Sequence, residues 1–97
     1  MIHFVYILLC DRKTFYVGLT DNIDRRINEH RAKKSFYTKQ FSDLMVVYSE
    51  QYNTKREAEN REKQIKGWSR AKKRALISGN IKKLESLSRG TGFAEVL

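Results

Sequence analysis

Three polar residues, Asn22, Arg26 and His30, recur at every fourth position of "TDNIDRRINEH". That spacing stacks them along one face of a helix. Each has an ordinary use there. Asn22 can cap the helix start, Arg26 can lay its stem over a sheet edge, and His30 can serve a structural role at the helix end. Together they also suit an anion. A guanidinium fork matches phosphate oxygens, and an imidazole can donate a hydrogen bond or carry a proton near neutral pH. Tyr6 and Tyr16 lie upstream, and on one face of a hairpin beside an arginine their phenol oxygens would surround such an anion. Glu62 is the least expected residue by pattern. Ala58, Ile65 and Trp68 make the apolar side of its helix, and positions 58, 62 and 65 follow i, i+4, i+7, so a carboxylate falls inside the stripe. It then needs a salt bridge to a nearby Lys or Arg, a position at the rim, or a metal ion.

The elements that must position these residues are legible in outline. Residues 4–9 are aromatic, β-branched or aliphatic throughout and read as a strand buried on both faces. "CDRKT" turns the chain, and residues 15–20 form a second, antiparallel strand. An odd number of residues in the connecting loop puts Tyr6 and Tyr16 on the same face, opposed or nearly so; an even number separates them. Asp21 or Asn22 caps a helix running to about Lys33, with Ile23 and Ile27 as its apolar stripe and Asp24, Arg25 and Glu29 pointing away. "KKSFYTKQFSD" is a loop, whose interleaved rings and lysines suit stacking on unpaired bases. Phe36 and Phe41 can equally anchor that loop to the core. "LMVVYSEQY" makes a third strand. Thr54 and Glu57 form a capping box at the start of the next helix; Gly67 interrupts it, and "SRAKKRALISG" is a further helix ended by Gly79 or Asn80. Ile81, Leu84 and Leu87 suggest one or two more turns, and the chain from Ser88 reads as a frayed tail. The expected architecture is a small α/β (α+β) domain over residues 1–87, order ββαβα(αα), with a three-stranded antiparallel sheet flanked by helices and a flexible segment at 88–97.

Charge is the strongest bulk signal: among 97 residues, 20 Lys+Arg face 11 Asp+Glu, a formal +9. Such a surplus on a small domain favours polyanionic partners, nucleic acid first and an anionic membrane second. Membrane binding would want a basic amphipathic helix with large exposed apolars. In "KGWSRAKKRAL", helical spacing would align Lys66, Arg70 and Lys73 as a track for a phosphate backbone, although such runs are often only solvated faces. The single cysteine, Cys10, excludes an intramolecular disulfide and a cysteine-based zinc cluster. It reads as a small buried hydrophobe suited to a reducing compartment. The apolar run "FVYILLC" is too short to span a bilayer and has no basic leader before it, so a cytoplasmic location is expected.

"FVY" at 4–6, "YVG" at 16–18, the N-x-x-x-R-x-x-x-H row and the downstream "REAENREKQIKGWSRAKKRALI" together resemble the GIY-YIG nuclease motif. The likeness spans about residues 2–78 and is nearest the small stand-alone bacterial members. What it implies is cleavage of DNA phosphodiesters with one divalent metal, Mg²⁺ or Mn²⁺, as in the excision-repair nuclease UvrC and phage homing endonucleases. Tyr6 and Tyr16 match the tyrosines of the two tripeptides, one of which activates or positions the attacking water. Gly18 would let backbone and substrate approach closely. Arg26 matches the arginine on the scissile phosphate, His30 a place held by His or Tyr, and Glu62 the sole metal-ligating carboxylate. Three positions depart: Phe4 stands for the glycine of "GIY", Leu19 follows "YVG" where several nucleases carry lysine, and the asparagine some relatives carry after the Glu helix has no match. The expectation is a metal-dependent endonuclease, structure-selective on branched or nicked DNA, in repair or recombination, with RNA left open as a ligand. The alternatives are a non-catalytic nucleic-acid-binding module of the same fold, and an accessory subunit whose basic helices bind a protein.

Overall fold

The computed structural model describes residues 1–79. Its elements are β1 (His3–Cys10), β2 (Thr14–Thr20), α1 (Ile23–Arg31), a 3-10 turn (Thr38–Gln40), β3 (Leu44–Tyr52), α2 (Lys55–Lys66) and α3 (Arg70–Ser78). The fold is α+β, with one antiparallel sheet of order β2-β1-β3. The chain falls into two compact units, Met1–Lys66 and the part from Gly67 on. The expected turns at Ile81, Leu84 and Leu87 and the tail from Ser88 lie outside the described residues.

β1 is the central strand because its sequence is the most apolar, and Val5, Tyr6, Ile7, Leu8 and Cys10 are all buried. The three residues Asp11–Lys13 join it to β2, so the loop is odd. Asp11 and Arg12 take positive φ (49° and 60°), and the Lys13 N–H donates to the Cys10 carbonyl at 3.1 Å, a reversal of the kind that matches strand twist. The resulting register pairs Leu8 with Tyr16 and Tyr6 with Gly18. Tyr6 and Tyr16 therefore share a face as diagonal neighbours, ring centroids 6.3 Å apart.

A bulge in β3 decides which face each of its side chains takes. Ile7 pairs with Tyr48 but Leu8 with Val46, so Val47 is the extra residue. Leu44, Tyr48, Glu50 and Tyr52 are all even-numbered and would share one face of a regular strand. With the bulge, Leu44 joins Tyr6, Leu8, Cys10 and Ile27 in one core. Tyr48 and Glu50 pair with Ile7 and Val5 instead, and Arg61 of α2 meets them there. The Arg61 Nε and Nη2 donate to the two Glu50 carboxylate oxygens at 2.9 and 3.0 Å, and the Tyr48 and Tyr52 hydroxyls donate to the same carboxylate. Burial pushes the Glu50 carboxyl up, but these hydrogen bonds outweigh it and hold it below the usual carboxylate range. Both partners of the pair are mostly buried, 17% and 15% of each side chain exposed. Arg61→Met is therefore expected to cost about 2 kcal/mol, short of the full buried-pair figure because water still reaches the rim. Urea unfolding measures it, and an unchanged midpoint would show the pair to be neutral.

The helix starts follow local chemistry. Asn22 caps α1, its side chain accepting from the Arg25 N–H at 3.0 Å, which is the plain role its position allows. The helix stops at Arg31, two residues before the expected Lys33, because Lys33 has turned to a φ of 64°. The Thr54 hydroxyl accepts from the Glu57 N–H at 3.2 Å to open α2. In the second unit, Ser69 caps α3 and Gly79 closes it in the left-handed region at φ 75°; there Lys72 lies over the Trp68 ring, 4.4 Å from its centroid. The break at 67–69 corrects one expectation. Lys66 ends α2 while Arg70 and Lys73 belong to α3, so one helix does not carry all three.

Candidate active site

β1, β2, α1 and α2 deliver five of the sequence-selected residues to the neighbourhood of one phenol. Tyr6 is 1% exposed. An ideal Cβ added at Gly18 would lie 2.3 Å from its Cζ and Oη, so the ring rests in the space that the missing Gly18 side chain leaves. This changes the role expected of Gly18: the close approach it permits is that of Tyr6, from within the protein. The Tyr6 hydroxyl meets His30 Nε2 at 2.8 Å, and His30 Nδ1 meets Thr38 Oγ1 at 2.6 Å. His30 and Thr38 are wholly buried. Burial pushes the Tyr6 phenol up to about 12, partly offset by the hydrogen bond from Arg26 and aided by the nearby Tyr16 and Glu62. Burial likewise lowers His30, with the Arg26 charge adding to it and Glu29 opposing, so the ring is held neutral.

Arg26 is the cation of the group. Its Nη1 donates to Glu29 Oε1 at 2.9 Å. That bond raises its pKa further, desolvation opposes it, and the Tyr6 contact adds a smaller upward effect. Glu29, expected to point away, stays a third exposed and bridges Arg26 and the exposed Arg25, whose Nε is 3.7 Å from its other oxygen. Tyr16 is half-buried, its ring 5.2 Å from that of His30 and stacked on Tyr37 at 5.6 Å and 24°. Glu62 sits at the rim, 20% of its side chain exposed, with Lys66 Nζ 3.3 Å away. The apolar stripe of α2 is buried at Ala58 and Ile65 but rotated enough to leave this carboxylate at the edge, where its charge reaches Tyr6. Among the described residues no three His, Cys, Asp or Glu side chains converge, so a multi-ligand cage is not built. One oxygen donor at the rim does fit a hydrated Mg²⁺, which keeps several waters and takes one or two carboxylates with substrate phosphates.

The loop after α1 divides two residues that the sequence treated alike. Phe41 packs against the core, but Phe36 is 87% exposed with Lys39 Nζ 4.7 Å above its ring. Tyr37 is one of the rings of that loop, and it stacks on Tyr16; Thr38 has no counterpart among the residues picked out in the sequence. A threonine in an aperiodic loop carries no signal that would have found it. In the second unit Arg70 and Lys73 are near neighbours. Partial burial, then the Arg70 charge, lowers the Lys73 ammonium.

The arrangement is a buried phenol hydrogen-bonded to an imidazole and close to a permanent cation, with a carboxylate paired to Lys66 at the rim. A family model described as the GIY-YIG catalytic domain matches residues 2–75. A UPF0213 protein of Natronomonas pharaonis is 40% identical over 77 residues, 78% of this chain and 91% of that one. One of Staphylococcus haemolyticus is 41% identical over 76 residues, 77% of this chain and 93% of its own. The solution structure of a UPF0213 protein from Bacillus halodurans superposes with a TM-score of 0.54 at 35% identity, covering 89% of this chain and 95% of that one. By the extent of the family match and the identity of these relatives, the chain belongs to the GIY-YIG family, together with the small UPF0213 proteins it matches.

Proposed function

We propose that the protein is a divalent-metal-dependent DNA endonuclease, acting on branched or nicked DNA in repair or recombination within the cytoplasm. The observation that carries this reading is the convergence of Arg26, His30, Tyr16 and Glu62 on the Tyr6 phenol. A structural tyrosine has no need of a charged guanidinium, an imidazole and a carboxylate together, whereas phosphodiester hydrolysis needs each of these groups. Arg26 keeps its charge at any working pH and offers the fork left over from Glu29 to a phosphate oxygen, where negative charge builds during attack. Tyr6, with its pKa near 12, does not act as a standing phenolate. It passes a proton instead, taking one from the attacking water as it gives its own to His30 Nε2. Tyr16 closes the site beside His30. Glu62 would hold Mg²⁺ or Mn²⁺, which when bound supplies charge stabilisation and help for the leaving oxygen. DNA is drawn in by the net charge, and Arg70 and Lys73 of α3 and Lys66 of α2 are the cations proposed to meet the phosphate backbone.

Incubating the protein with supercoiled, nicked and branched DNA tests this. Nicking is expected in Mg²⁺ or Mn²⁺, lost on adding a chelator and regained on restoring the metal. If no substrate is cut in either metal while binding weakens steeply with salt, the protein is a nucleic-acid-binding module that keeps the fold.

A further inference from the structure

We propose that Thr38 is a positioning residue for the Tyr6–His30 pair. Its hydroxyl accepts from the Nδ1–H of His30 and so fixes the ring in the tautomer whose bare Nε2 faces the phenol. The kinetic consequence rests on the nuclease reading; the hydrogen-bond assignment does not.

The polarity of the chain follows from counting donors. An arginine side chain only donates, so the neighbouring Arg26 guanidinium offers the Tyr6 proton no acceptor. The phenol has one proton of its own, it is buried, and the acceptor in front of it is His30 Nε2 at 2.8 Å. A neutral imidazole has one donor and one acceptor. With Nε2 accepting, the ring proton must sit on Nδ1, and there it meets Thr38 Oγ1 at 2.6 Å. The charged and titratable groups around the ring are Arg26 and Glu29 of α1, with Tyr6 and Tyr16 from the two strands. The identity of residue 38 matters in the same way. A carboxylate at this point would stabilise an imidazolium and raise the histidine, filling Nε2 with a proton. A hydroxyl accepts Nδ1–H without adding charge, so Nε2 stays open for the proton of Tyr6.

The 3-10 turn explains how a loop residue can hold a buried ring in place. The Lys39 N–H donates to the Ser35 carbonyl and the Phe41 N–H to the Thr38 carbonyl, both at 3.0 Å. Phe41 is seated in the core on one side of the turn, and Tyr37 stacks on Tyr16 on the other. Thr38 is thus pinned between two anchored rings, with its hydroxyl directed at the histidine.

Nitrogen-15 spectra of the labelled protein, with His3→Gln used to tell the two histidines apart, are expected to show His30 protonated at Nδ1 and bare at Nε2 at neutral pH. In Thr38→Val the proton is expected to move to Nε2, and kcat to fall at least tenfold with KM unchanged. Thr38→Ser is expected to keep both the tautomer and the rate. A wild-type ring protonated at Nε2 overturns the proposal, as does a folded Thr38→Val that keeps Nδ1–H and full turnover. Should the valine variant not fold, the wild-type spectrum and Thr38→Ser decide: a switched tautomer in the serine variant also overturns it. Wild-type protein that cuts no DNA would sink the nuclease reading, while the spectra still decide the role of Thr38.

Discussion

Arg26→Ala is expected to lower the single-turnover rate of DNA cleavage by about 100- to 1000-fold, the usual loss when one preorganised donor to developing charge is removed. Affinity for DNA should change little, since the backbone contacts proposed for Lys66, Arg70 and Lys73 would remain. Two features of the site support so large an effect. The guanidinium is held by Glu29 at 2.9 Å and also reaches the Tyr6 phenol, so it is already oriented before substrate arrives. It is also the charge that lowers the cost of taking a proton from Tyr6, against burial, Tyr16 and Glu62, which all resist it. Removing Arg26 therefore weakens both the stabilisation of the phosphate and the proton transfer. Arg26→Lys keeps a charge but loses the planar fork that can bond Glu29 and a phosphate at once, and should fall between wild type and alanine. Glu62→Ala should abolish metal-dependent cutting with the fold intact. Rapid-quench cleavage at saturating protein, alongside fluorescence anisotropy for binding, separates the two quantities. An alanine variant that cuts at the wild-type rate would remove Arg26 from the mechanism.

Much of this site was legible in the sequence because its residues lie on regular elements. Period-4 spacing put Arg26 and His30 on one helix face, and period-2 spacing put Tyr6 and Tyr16 on one strand face for an odd loop; gathering the four into one site rested on the resemblance to the GIY-YIG motif. The strands were read within one residue of their observed ends, and the third matched Leu44–Tyr52, since apolar and aromatic runs bounded by polar turns have few other uses. What was not legible depends on contacts between elements. The Val47 bulge leaves no mark in a composition of Val, Val and Tyr, yet it alone sends Glu50 away from the Leu44 side. Glu29 stays a third exposed as the helical wheel implies, but the wheel does not show that it reaches Arg26 three residues earlier. Thr38 acts through a turn with no periodicity at all. Lys66, Arg70 and Lys73 failed as one helical face for a local reason that the sequence did display: the glycine at 67 and the serine at 69 end one helix and start another.

Gly18→Ala is expected to destabilise the protein by about 3 kcal/mol, at the upper end of what overpacking a core costs. The reason is geometric rather than conformational, because Gly18 has no positive φ to preserve. Its added Cβ would stand 2.3 Å from both Cζ and Oη of Tyr6 and 2.8 Å from Cε1, and a fully buried ring has nowhere near at hand to move. If the ring does swing away, the hydroxyl leaves His30 Nε2 and the Arg26 fork, so cleavage should be lost together with stability. The link can be isolated by a double-mutant cycle with Tyr6→Leu, which removes the hydroxyl and the ring atoms that the new methyl would strike. Tyr6→Leu by itself is destabilising, yet Gly18→Ala made in that background should cost much less than in the wild type, a non-additivity expected only of residues in direct contact. Chemical denaturation of the four proteins gives the coupling energy. Additive costs would mean that the strand yields at Gly18 and that the tyrosine does not depend on the space beside it.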